Sequence, residues 1–95
     1  MNFEEAVETA LGELIDEERL GQIIGSIKVL AEDRETSRLM LRELLTKAKL
    51  GEIVDLDIHS TIKKNAPTLK RGTPGYEDLF DGLKSALQSF GKLPL

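Results

Sequence analysis

The sequence predicts an all-α fold, a compact bundle of four to five short helices without a sheet. Three observations carry that expectation. Apolar residues recur at spacings of three and four through most of the 95-residue chain. Helix-capping residues stand where those stripes begin. Alternating, strand-like periodicity occurs in one short segment alone, and a lone strand has nothing to pair with.

The first expected helix covers about residues 3–15, with Phe3, Ala6, Val7, Ala10, Leu11, Leu14 and Ile15 forming one stripe. Asn2 stands as its cap with Glu5 in capping-box position, and Glu4, Glu5 and Glu8 complement the positive end of the helix dipole. At Asp16 the apolar phase breaks, which makes Asp16 the cap of a second helix over about 17–32. Its inward stripe is Leu20, Ile23, Ile24, Ile27, Leu30 and Ala31.

A third helix is expected over about 34–50, capped by Asp33 or Thr36, with Leu41, Leu44, Leu45 and Ala48 on its core face. Lys47 and Lys49 suit its negative C-terminal end, and Gly51 is placed in the left-handed position that follows a helix. In "EIVDLDIHS", Val54, Leu56 and Ile58 alternate with Asp55, Asp57 and His59. Residues 53–58 therefore read as either extended or helical; the preferred reading is an extended connector into a short helix over about 58–65, capped by Asp57. Pro67 disfavours helical geometry at Ala66 and opens a basic Pro/Gly connector, residues 66–74. The last helix, about 75–90, starts from Thr73 and Pro74 and carries the stripe Tyr76, Leu79, Phe80, Leu83, Ala86, Leu87 and Phe90. Glu77, Asp78, Asp81 and Lys84 are assigned to its opposite, solvent face, and Gly91 stops it.

Composition narrows the function. Apolar residues make up 40% and charged residues 32%, the balance of a soluble globular chain, and 1–95 reads as a single helical domain. The acidic start "MNFEEAVETALGELIDEE" is unlike a secretory leader, and no apolar run approaches a membrane span, so a cytoplasmic location without membrane contact is expected. With no cysteine and one histidine, Asp55, Asp57 and His59 are the best available ligand set, and they converge only if extended; neither a metal nor a cofactor is expected. Ser60 beside His59 lacks the geometry of a nucleophile and its base. The chain reads as a non-enzyme without a small-molecule substrate.

Two binding classes remain. The preferred one is a protein-binding domain, a regulator, inhibitor, adaptor or assembly subunit, whose partner is another protein or a second copy. Its basis is the uncharged run "LGQIIGSI" between Arg19 and Lys28, and a third helix that is apolar on two faces. Gly25, Val29, Leu39, Met40 and Leu50 are the expected contact residues, with the flank of Gly21 and Gly25 allowing close approach. The alternative is a nucleic-acid-binding regulator with a helix-turn-helix-like basic region over residues 38–71, using Arg38, Arg42, Lys63, Lys64, Lys70 and Arg71. Charge is unevenly placed: ten acids face three bases over residues 1–35, and eight bases face four acids over residues 36–72. Acidic front and basic middle pair either within one chain or between chains.

Overall fold

In the computed structural model, which describes residues 15–91, all regular structure is helical. In chain order the elements are α1 (Glu17–Ser26), α2 (Lys28–Ala31), α3 (Arg34–Leu50), α4 (Asp55–Asn65) and α5 (Pro74–Ser89). The expected helix over 3–15 and the tail "KLPL" lie outside the described residues, apart from Ile15, which packs half-buried against the core.

The helix starts follow the capping chemistry. Asp16 Oδ1 accepts hydrogen bonds from the backbone N–H groups of Glu18 and Arg19, each at 3.1 Å, so the open first turn of α1 is satisfied. Asp33 Oδ1 does the same for Thr36 at 3.1 Å, so α3 begins at Arg34 as expected. Those bonds to Thr36 hold the Asp33 carboxyl below its usual value, backbone first and side chain second. The folded form thus favours the carboxylate, and the cap contributes fully above the ordinary carboxylate range and is lost as pH falls through the lowered value. Acid titration of stability should show that loss in the native chain, and Asp33→Asn should flatten that part of the profile.

Three boundaries differ from expectation. The helix expected over 17–32 is two helices, because Ile27 adopts an extended backbone (φ −113°, ψ 109°). Ser26 Oγ turns back to the Ile23 carbonyl at 2.8 Å, closing α1, and the bend lets Ile27 and Val29 approach Gly82 of α5. The helix expected from Ile58 begins instead at Asp55. Asp57 is not its cap but lies in its first turn, where Oδ2 accepts the Val54 N–H at 2.8 Å. Gly51 is extended (φ 169°) rather than left-handed. The left-handed glycines are Gly72 in the connector and Gly91, where the chain leaves α5 as expected.

Among the described residues the stripes meet in one largely aliphatic core. Leu20, Ile24 and Leu30 from α1 and α2 pack with Leu41, Leu44 and Leu45 of α3, Ile58 and Ile62 of α4, and Leu83 and Leu87 of α5. α3 runs through the centre and touches the other four helices, while α5 closes the bundle over α2 and α4. Arg19 joins the two ends: its Nη2 donates to the Ser89 carbonyl at 2.6 Å, and its guanidinium lies 4.8 Å from the Phe90 ring centre. It therefore serves a C-terminal carbonyl of α5 with positive charge.

One buried polar atom has no partner among the described residues, Thr61 Oγ1 on α4. Replacing that hydroxyl with a methyl removes an unmet hydrogen-bonding demand while keeping the shape, so Thr61→Val should leave stability unchanged or raise it by about 1 kcal/mol. Urea unfolding decides the point; a clear loss would mean that the hydroxyl does have a partner in solution.

Candidate functional site

Where α2 and the first half of α3 face α5, the bundle leaves a partly open groove of about 670 Å³. Its existence follows from the bend at Ile27, which swings α2 toward α5 until Val29 meets Gly82. Ile27, Val29, Met40, Leu69 and Leu79 give the groove its apolar lining, and Ala66 and Leu69 bring in the start of the connector. Lined this way, the groove exposes apolar surface that the bundle itself does not cover.

Charge around this lining is one-sided. Glu32 and Asp33 stand at the turn between α2 and α3, while Asp78 and Asp81 stand on α5. All four are exposed, against the single base Lys28, and none of the four forms an ion pair with a described residue. Asp78 and Asp81, three residues apart, share one flank of α5. Carboxylates thus stand on two of the elements that line the groove, the α2–α3 turn and α5.

The expected protein-contact residues divide between surfaces. Val29 lines the groove. Met40 does as well, but it is 1% exposed and belongs to the core, so it is not the outward flank residue expected. Leu39 and Leu50 are exposed at 57% and 69% on another face of α3, away from the groove lining. Eleven residues apart, they fall within about 20° of each other around the helix. Gly25 is exposed, but its flank is occupied by the chain's own α3: a Cβ there would sit 3.2 Å from the Arg34 guanidinium, and one on Gly21 would sit 3.3 Å from that of Arg38. The expected single patch of Val29, Leu39, Met40 and Leu50 is therefore two separate surfaces. Leu69, Leu79, Asp78 and Asp81 complete the groove and were not among the expected contacts. The signal for them was Gly82, a helix-weakening residue inside the α5 stripe.

The expected nucleic-acid residues are dispersed. Arg38 and Arg42 both reach Glu17, Arg38 at 2.7 Å, and Lys64 reaches Glu43 at 3.1 Å. The basic middle thus meets the chain's own acids. Lys63, Lys70 and Arg71 are exposed without an ion pair among the described residues. The connection from α3 to α4 is residues 51–54, which is the length of a helix-turn-helix turn. The first turn of α4, however, presents Asp55 and Asp57, where a recognition helix would meet base edges and phosphates.

Asp55, Asp57 and His59 do not converge, because the segment is helical. Asp55 pairs with Lys84 at 3.4 Å and Asp57 holds the Val54 N–H. His59 Nδ1 lies 2.6 Å from the Tyr76 hydroxyl, and its ring stacks on Phe80 with centres 4.6 Å apart. Asp55 and His59 thus tie α4 to α5 while Asp57 serves the start of its own helix, and no cluster of three or more metal-binding side chains occurs among the described residues. Nor is any helix among them long and apolar enough to cross a membrane. No family model matches this chain, and neither the curated proteins nor the solved structures contain a significant match.

Proposed function

We propose that this chain is a small non-enzymatic protein-binding domain, acting as a regulator, inhibitor, adaptor or assembly subunit, and that the groove between α2, α3 and α5 is its docking surface. The observation that carries the reading is an apolar lining joined by four exposed carboxylates, none of them in an ion pair among the described residues. Burial of the lining supplies affinity, and the carboxylates supply orientation and selectivity. The exposed Leu39 and Leu50 form a separate face that the groove does not need.

Site-specific crosslinking tests this directly. A photoreactive side chain at Ser85, an exposed groove residue, should trap a protein partner in the host, and the same group at Leu39 should not. Trapping from Leu39 alone would move the function to the outer face of α3. The nucleic-acid alternative now rests on Lys63, Lys70 and Arg71. It requires binding that weakens steeply with salt, so a gel-shift at low salt showing no duplex or single-strand complex removes it.

A further inference from the structure

The groove's chemistry narrows its partner, on the premise that it is a docking surface. We infer that the groove takes a cationic amphipathic helix from another protein, its apolar stripe on the groove lining and its lysines or arginines along both flanks. Glu32 and Asp33 stand at the α2–α3 turn and Asp78 and Asp81 on α5, four acids against Lys28 in the lining and Lys70 and Arg71 just after Leu69. A bound helix with an apolar stripe flanked by bases matches the acids of both elements at once, whereas an acidic helix sets like charge against them and a neutral one takes water from Glu32, Asp78 and Asp81 without replacing it.

Two nearer occupants are disfavoured by the same charges. Residues 1–14 have an apolar stripe, but they carry Glu4, Glu5, Glu8 and Glu13 and no Lys or Arg. A second copy meeting the groove through a two-fold axis would set the same patch against itself, carboxylates on carboxylates. An extended peptide is disfavoured on other grounds: the described residues contain no sheet edge to which it could add. Walls made of helices suit a helix packed between them.

The test uses three fluorescent peptides of about 18 residues, roughly five helical turns, with one leucine stripe and flanks of lysine, glutamine or glutamate. Binding is read by anisotropy against the full chain at low salt. The leucine-lysine peptide should bind, and Asp78→Lys with Asp81→Lys should weaken it by about tenfold or more. The milder pair Asp78→Asn with Asp81→Asn should weaken it in the same direction, and unchanged thermal unfolding shows that both variants are folded. Glu18→Lys with Glu52→Lys makes the same net change at exposed acids outside the groove and should have an effect below about twofold. Equal weakening by the control pair would overturn the inference, because general attraction would then explain binding. Equal or tighter binding of the glutamine or glutamate peptide would overturn the cationic partner while leaving the groove as a docking surface. If no peptide binds, the cationic helix is overturned, and crosslinking from Ser85 decides separately whether the groove docks any protein.

Discussion

Replacement of Leu30 by alanine is expected to cost about 2–5 kcal/mol, the range for deleting a buried leucine in a core that cannot collapse around the gap. The reason is local as much as global. α2 has four residues, too few to be a stable helix by itself, and Leu30 is the buried side chain that ties it down. The Leu30 carbonyl also accepts the buried Ser37 hydroxyl of α3 at 2.8 Å, so loosening α2 strains a second interaction. Urea unfolding gives the stability, and amide exchange should show protection at residues 28–31 falling more than at α3. A loss below about 1 kcal/mol would mean that α2 is held by something other than its core contact.

Gly82→Ala is expected to destabilise by up to about 2 kcal/mol although it improves helix propensity. Alanine gains about 1 kcal/mol over glycine inside a helix. Against that, a Cβ at Gly82 would lie 2.6 Å from Val29 Cγ1, closer than atoms can pack, and a tight 3.3 Å from Ile27 Cγ2. Both neighbours are β-branched and stiff, so relief requires α2 to move from α5, and such overpacking costs about 1–3 kcal/mol. Val29→Ala removes the nearest methyl. The double variant should therefore recover stability relative to Gly82→Ala alone, with a coupling of about 0.5–3 kcal/mol. Because the contact sits at the groove, the single variant should also weaken the leucine-lysine peptide. A stabilising Gly82→Ala would contradict the close approach of α2 and α5.

The contrast between these two sites shows what was legible in the sequence. The stripes of α3 and α5 found their core, and Asp16 and Asp33 cap α1 and α3 where expected, because periodicity and capping are local properties. The bend at Ile27 was not legible. Leu20, Ile23, Ile24, Ile27 and Leu30 keep three-and-four spacing across it, and the residue the bent chain packs against, Gly82, is distant in sequence. The start of α4 was obscured in the same way. Val54, Leu56 and Ile58 alternate like a strand, whereas Asp57 turns its carboxylate back to the Val54 N–H and opens a helix. The groove suffered most, since it is a product of the bend. Val29 and Met40 were on the expected contact list, and Leu79 lies in the core and Asp78 and Asp81 on the solvent face as the α5 stripe implied, but that they line one groove was not legible. Local pattern reports which face is apolar; it does not report which apolar residues end up lining a groove.

Part of the basic middle is accounted for in the same way. Arg38, Arg42 and Lys64 serve the chain's own acids, which are surface pairs of small energetic weight, each typically below about 1 kcal/mol. Lys70 and Arg71 of the connector, with Lys63, stay exposed without an ion pair among the described residues, as do the acids that line the groove.

The most direct measurement is amide and methyl chemical-shift mapping of the full chain titrated with the leucine-lysine peptide. The account predicts shifts concentrated at Ile27, Val29, Leu69, Leu79 and Gly82, with Leu39 and Leu50 unmoved. Shifts centred on Leu39 and Leu50, with the groove residues unchanged, would contradict it.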